Sequence, residues 1–255
     1  MRRTTSAMPE SKSYREKLYA KYATVQVPAW LQTSERTIRS GQHVIAGRLR
    51  SWLPSSRNVC CLDMGCGSGD LLMALQSLGF GNLTGVDIGP EQVAIAQSRG
   101  LHVVQANLLD YLQTSAQRFD LIFAVDVIEH FTKDEVLDLL HLTWERLKPG
   151  GRLILQTPNA LSPWASQCRY GDLTHELIFS PECIVSTLRL SGFKDINVRE
   201  AGFYIHGFRS ALRWVLWRFI WAGCAAWSYI ESGGLLGGVY TRTMLVSAVK
   251  DDAMR

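Results

Sequence analysis

Two carboxylates and an imidazole fall close together in Val125-Asp-Val-Ile-Glu-His-Phe131, at Asp126, Glu129 and His130, and a second imidazole follows at His175 in Gly171-Asp-Leu-Thr-His-Glu176. Groups of these types take a proton from a hydroxyl or ligate a divalent cation. A further acidic pair brackets a glycine turn: Asp63 in Val59-Cys-Cys-Leu-Asp-Met-Gly-Cys-Gly-Ser-Gly-Asp70, and Asp87 at the end of the next apolar run. The apolar residues before Asp63, the glycines at 65, 67 and 69, and the helix-like Leu71-Leu-Met-Ala-Leu-Gln-Ser-Leu78 describe a ligand loop between a strand and a helix. A dinucleotide loop requires G-x-G-x-x-G, but Asp70 stands where the third glycine belongs, and that glycine arrives one residue early. Asp63 would also repel a diphosphate in a confined site. The loop suits a ligand that carries positive charge.

S-adenosylmethionine has that character. Its ammonium and sulfonium balance acids, its carboxylate suits loop and helix N–H groups, and its ribose hydroxyls donate to an acid placed as Asp87 is. Further landmarks come in order: Gln105-Ala-Asn107-Leu108 after a third apolar run, Phe119-Asp-Leu-Ile-Phe-Ala-Val-Asp126 as a fourth, and Leu147-Lys-Pro-Gly-Gly-Arg-Leu-Ile-Leu155 leading into a fifth. On these residues, from about Val59 to Lys250, the chain resembles the class I S-adenosylmethionine-dependent methyltransferases. The resemblance implies a cofactor set of Asp63, Gly65, Cys66, Gly67, Gly69, Asp87, Ile88, Asn107, Leu108 and Asp126. Asn107 stands where the family more often has Asp, and its carbonyl oxygen can accept from an adenine amino group.

Methyl transfer from a sulfonium is an in-line displacement, so alignment supplies most of the rate. A hydroxyl acceptor must also lose its proton, and His130 and His175, on the loops after the fourth and fifth strands, are the candidate catalytic bases. Asp126-x-x-Glu129-His130 resembles the E-x-x-E-H signature of small-RNA terminal-ribose methyltransferases and ubiquinone-pathway O-methyltransferases, where a divalent cation holds the acceptor oxygens. Thr157-Pro-Asn159 and His175 extend that likeness, while Asp126 shortens the first acid by a methylene. On this reading Asp126, Glu129, His130 and His175 are metal ligands. On the favoured one no metal is bound, Asp126 and Glu129 orient the cofactor or cap the following helix, and His130 or His175 is the base.

Such groups need a scaffold to hold them. At 255 residues and 47% hydrophobic content the chain can bury a full α/β core. Strands are predicted near 59–64, 82–87, 101–106, 119–125 and 151–157, and helices near 69–79, 90–99, 133–147 and 181–192, with Lys194–Glu200 and Thr243–Val249 as sixth and seventh strands. This alternation predicts an α/β fold with a Rossmann-like doubly wound seven-stranded sheet; the resemblance implies that its seventh strand is antiparallel. Residues 1–50 are expected to form a helical cap over the cofactor mouth, with Tyr14, Tyr19 and Tyr22 in position to close it, and residues 51–255 the methyltransferase domain. Arg2, Arg3, Lys12, Arg15, Lys17 and Lys21 read as a solvated arm, and a net charge of +4 is too small to indicate nucleic acid. The six cysteines lack C-x-x-C spacing, so neither disulfides nor zinc are expected and the compartment reads as reducing. Residues 1–30 are polar, without the apolar segment of a signal peptide, which suits a cytoplasmic protein.

Between the sixth and seventh strands lies a helical insertion, about 203–239, far longer than an ordinary connection. Its centre, Phe208 to Ile230, interleaves Arg209, Arg213 and Arg218 with Trp214, Trp217 and Trp221, and after Phe219 the apolar character runs all round, so the helix should be covered. The run from Phe219 to Ile230 is too short to span a bilayer. An interfacial helix at the inner face of the membrane, with cations at anionic headgroups, and a cap over substrate or a second subunit stand as alternatives. Gly171-Asp-Leu-Thr-His-Glu, Phe179-Ser-Pro, Glu231-Ser-Gly-Gly and Tyr240-Thr-Arg-Thr resemble methyltransferases found among bacterial surface-polysaccharide enzymes. That likeness implies O-methylation of a saccharide or lipid-linked glycan hydroxyl. Metal-assisted methylation of a quinone-type ring or an RNA ribose, and a non-catalytic cofactor-binding partner protein, are the alternatives.

Overall fold

The computed structural model describes residues 14–19, 21, 47–202, 204, 205, 207–234 and 238–251. A short helix, α1 (Tyr14–Tyr19), comes first, and β1 (Cys61–Met64) passes through the glycine turn into α2 (Asp70–Ser77). β2 (Leu83–Asp87) leads to α3 (Pro90–Ser98), with a proline in the first turn, where a missing N–H costs nothing. β3 (Val103–Gln105) leads to α4 (Leu108–Thr114), started by Asn107, whose side chain accepts from Leu109 N. β4 (Phe119–Val125) runs through a single 3-10 turn, Ile128–His130, into α5 (Lys133–Arg146), closed at its start by a reciprocal capping box of Thr132 and Glu135. β5 (Leu147–Pro158), α6 (Ala165–Tyr170), α7 (Pro181–Leu190), β6 (Phe193–Glu200), α8 (Phe208–Ser232) and β7 (Thr243–Lys250) follow.

The strands form one sheet in the order β3-β2-β1-β4-β5-β7-β6, parallel from β3 to β5, with β7 antiparallel to both of its neighbours. This is the expected doubly wound sheet, with the helical insertion α8 between β6 and β7. The strand order reverses between β1 and β4, which opens a crevice at their carboxyl ends. Because β7 is antiparallel to both β5 and β6, the carboxyl end of β6 lies on the same edge as the crevice. Alternate residues of β4 face opposite layers: Ile122 and Ala124 join one buried cluster with Val136 and Ile184, while Leu121 and Phe123 join another with Leu71 and Leu75.

Asp120, the acid at the start of β4, ties three elements together. Its Oδ2 accepts from Cys60 N at 2.8 Å and from Lys148 Nζ at 2.7 Å, so the start of β1 and the Lys-Pro-Gly-Gly turn share one carboxylate. Burial works to raise its pKa, but the Lys148 and Cys60 hydrogen bonds outweigh it and hold the carboxyl below its ordinary value. A folded pKa below the unfolded one means that the stabilisation is complete above the ordinary carboxylate range and is lost as pH falls through the lowered value. Asp120→Asn should therefore cost about 0.5–1 kcal/mol at neutral pH, since the pair is partly exposed, and nearly nothing in strong acid. Urea melts of both proteins across acidic pH check this, and a cost that persists undiminished in strong acid would contradict it.

The structure departs from expectation at several places. α4 and α6 were not anticipated, and β5 starts four residues before its predicted edge, so that the glycine turn lies within it. Tyr22 and most of the expected cap over residues 1–50 lie outside the described residues. Of the three tryptophans expected on one face of α8, Trp217 is buried and Trp221 half-buried, while Trp214 is exposed. Among the described residues, the domain covers one stripe of α8. No helix among the described residues is long and apolar enough to cross a membrane.

Candidate active site

The glycine turn is shaped by its own backbone. Gly65 has φ +64°, and a Cβ there would stand 2.6 Å from Val127 Cγ2, so only glycine lets the turn pass under the loop after β4. Gly65 N and Cys66 N both donate to Val86 O, at 2.8 and 3.1 Å, Gly69 N donates to Cys66 O at 2.9 Å, and Gly67 N donates to Asp87 Oδ2 at 2.8 Å. These N–H groups are therefore engaged within the protein and are not open donors for a ligand carboxylate. Asp87 Oδ1 accepts from Gly89 N at 2.7 Å, so two amides clamp one carboxylate at the end of β2.

A cavity of about 390 Å³ opens over this turn, a volume suited to a nucleoside-sized ligand. Gly65, Gly67, Asp87, Ile88, Asn107, Leu108 and Asp126, all from the cofactor set that the resemblance implies, line it. A Cβ on Gly67 would meet no protein atom within 4 Å, since that residue borders open space. Asp63, Cys66 and Gly69 stand behind the wall: Asp63 is buried at the end of β1, Cys66 packs with Leu72 and Val93, and Gly69 begins α2. Burial, reinforced by Asp87, pushes the Asp63 carboxyl up. Burial also raises Asp87, against the Gly89 and Gly67 hydrogen bonds. A cation in the cavity would ease the burial of Asp87 in its wall and of Asp63 behind it, which is the fit expected for a sulfonium donor. Asn107 Oδ1 accepts from Leu109 N as the cap of α4 and keeps a second lone pair on the cavity side.

The acceptor side is built from the loops after β4 and β5. Asp126 has φ +55°, opens onto the cavity, and accepts from Gln156 Nε2 at 2.9 Å. Its carboxyl is pushed up to about 6 by the protein packed around it, against the Gln156 hydrogen bond and the charges of His175 and Arg48. His130 lines the same cavity, with its Nδ1 2.9 Å from Thr174 Oγ1 and 3.3 Å from Thr174 O. Thr174 Oγ1 donates its proton to Asp172 Oδ1 at 2.6 Å, so it accepts from His130, and the carbonyl can only accept. Nδ1 therefore carries the proton and Nε2 is left as a base. Burial first, and His175 second, lower the His130 pKa and keep the ring neutral. His175 Nδ1 lies 2.7 Å from Cys168 O, which assigns it the same tautomer, and the two rings meet edge to face at 4.8 Å.

Glu129 completes this group. It is fully buried, its Oε2 accepts from Thr157 Oγ1 at 3.1 Å, and its Oε1 has no hydrogen-bond partner among the described residues. Burial and then Asp126 push its carboxyl well up. One ligand atom each from Glu129, His130 and His175 lie within 4.8 Å of one another, a donor set that fits a divalent cation. Asp126, the fourth ligand of the sequence-based option, stands outside that trio. Its left-handed backbone and its bond to Gln156 engage it elsewhere.

α1 roofs the cavity. Arg15 NH1 reaches both carboxylate oxygens of Glu135, at 2.9 and 3.0 Å, its NH2 lies 3.5 Å from Glu176, and Tyr14 donates to Glu176. Tyr19 lines the cavity and approaches His130 edge-on at 6.4 Å. The expectation of a solvated basic arm fails at Arg15, which two acids hold. Asp172, Thr174, Arg15 and Glu135 were missed because their roles come from contacts across 44 and 120 residues of chain.

Comparison with known proteins adds to this geometry. A family model described as a methyltransferase domain matches residues 33–206. Among curated proteins, the ubiquinone biosynthesis O-methyltransferase of Hydrogenovibrio crunogenus is 30% identical over 113 residues, covering 41% of this chain and 45% of that protein. One from Cereibacter sphaeroides is 35% identical over 106 residues, covering 38% and 40%. The chain thus spans less than half the length of the curated relatives it matches. Among solved structures, a SAM-dependent methyltransferase from Archaeoglobus fulgidus superposes with a TM-score of 0.63 at 21% identity, over 85% of this chain and 97% of that one. Magnesium protoporphyrin IX methyltransferase from Synechocystis, with bound SAM, gives 0.56 at 14% identity, over 95% and 100%. These structural likenesses speak for the fold alone.

Proposed function

Because the chain belongs to the methyltransferase-domain family and is an S-adenosylmethionine-dependent methyltransferase, we propose that it O-methylates a hydroxyl on a quinone-type ring, with His130 as the base. The observation that carries this reading is the Asp172–Thr174–His130 chain, which leaves an unprotonated Nε2 on a residue of the cofactor cavity. The names of the aligned relatives support a ring hydroxyl over the saccharide expected from the sequence.

S-adenosylmethionine, when bound, would supply a sulfonium methyl group open to attack by a nucleophilic oxygen, with the neutral thioether as leaving group. Asp87 would hold its ribose hydroxyls, and Asp126, on the cavity wall, would face its cationic end. The packed loops after β4 and β5 align the acceptor, and the α1 roof, our candidate for part of the N-terminal cap, keeps water out. His130 Nε2 takes the hydroxyl proton, and the Thr174–Asp172 pair orients the resulting imidazolium. His175, beside it, is the second candidate for the same proton. An acceptor ring carried on an apolar tail would place the enzyme at the inner membrane surface.

A second reading rests on the trio. Glu129, His130 and His175 would hold a divalent cation that polarises the acceptor hydroxyl. Assay of labelled methyl transfer to lipid, glycan and RNA extracts, with and without chelator, separates the readings. Label in the quinol-bearing lipid fraction, unaffected by chelator, is the expected result. Label confined to glycan or RNA would overturn the acceptor. A loss of about 100-fold or more on chelation, reversed by magnesium or manganese, would assign the trio to a metal.

A further inference from the structure

One stripe fastens α8 to the domain, and most of its remaining circumference is open. Trp217 is buried and its Nε1 donates to Glu200 at 3.2 Å, Trp221 Nε1 donates to Gly238 O at 2.8 Å, and Ala225 and Ser228 are buried on the same side. The opposite side carries Phe208, Leu212, Val215, Leu216, Phe219 and Ile230, all exposed, Phe219 at 73% and Ile230 at 83%. At about 100° per residue these six form one ridge, with Arg209 and Arg213 along one edge and Arg218 along the other. A contiguous apolar surface of this kind on a folded chain marks a partner.

Charge decides which partner. No Asp or Glu occurs from Phe208 to Ile230, and the first turn of the helix has no acid. Arg209, in the first turn, opposes the backbone dipole, a placement that an anionic surface beyond the chain would favour, while Arg218 lies over the Trp221 ring at 4.7 Å. We propose that α8 docks its ridge into the interface of an anionic lipid bilayer, with the apolar side chains below the headgroups and the arginines among the phosphates. Its 25 residues, about 38 Å, would lie along the surface. Two ridges packed together would instead draw the arginines of both copies from water, with Glu231 the only acid in each helix. Trp164, on the chain leading to His175, packs on Trp217 with ring centres 6.4 Å apart, so the anchored side of α8 adjoins the segment that carries His175. Docking requires no particular acceptor and stands or falls apart from the quinone-type reading.

Flotation of the full chain with vesicles of equal parts phosphatidylglycerol and phosphatidylcholine tests it, beside vesicles of phosphatidylcholine alone. The protein should float with the anionic vesicles and several-fold less with the neutral ones. Arg209→Glu, and separately Phe219→Ser with Ile230→Ser, should each weaken vesicle binding several-fold or more, with melting temperatures unchanged because all three side chains are exposed. Variants that float like the native chain, or a native chain that does not float, would overturn the proposal. So would a dimer in sedimentation that the Phe219→Ser, Ile230→Ser pair dissolves, since the ridge would then belong to a second copy.

Discussion

Asp87→Ala should raise the Kd for S-adenosylmethionine by about 100-fold or more. Each hydrogen bond from a ligand hydroxyl to a buried carboxylate is worth about 1.5–3 kcal/mol, and the ribose offers two. The same carboxylate accepts from Gly67 N and Gly89 N, so its removal also strips a partner from two amides and loosens the wall that faces the ligand. Calorimetric titration measures the first effect and thermal melting the second, which should cost about 1–3 kcal/mol. Asp87→Asn separates them in part: its single carbonyl can serve one amide, while its NH2 confronts the other. Affinity within a few-fold of the native value in Asp87→Ala would remove the ribose role assigned here.

His130→Ala should lower kcat by about 100- to 10,000-fold with the KM for S-adenosylmethionine little changed, because a general base acts on the acceptor's proton and not on the donor's binding. Thr174→Val should fall between this variant and the native enzyme. It removes the hydroxyl that receives the Nδ1 proton but leaves the Thr174 carbonyl at 3.3 Å, so the tautomer is held less firmly. Steady-state rates with labelled donor read both. A His130→Ala enzyme within a few-fold of native turnover would reduce catalysis to alignment alone or move the proton to His175.

The donor half was legible in the chain because its constraints are local. Asp63, the glycines and Asp87 declare a strand end, a turn and a second strand end within one stretch of sequence, whereas α4 went unread although Asn107 caps it. α4, of seven residues, carries too little periodicity to be seen except through that cap. The acceptor half was legible only in part. His130 and His175 were visible as residue types, but the proton placement on His130 depends on Thr174 and Asp172, which only the fold brings near. That the loop amides were already satisfied depended likewise on Val86 and Asp87 across the strand pair. Glu129 looked like one acid among several, and its full burial comes from β5 and the segment before α7 closing over it.

The antiparallel pairing of β6 with β7 reaches beyond the sheet itself. Glu200 sits opposite Met244, so the chain leaves one strand and returns to its immediate neighbour at the same end. A detour anchored at two touching points can lengthen or shorten at small entropic cost, roughly 0.6 kcal/mol for each doubling, whereas the parallel crossovers of the donor half must each span the sheet at a fixed reach. Selection can thus rewrite what the enzyme greets at its mouth while leaving its store of activated methyl untouched.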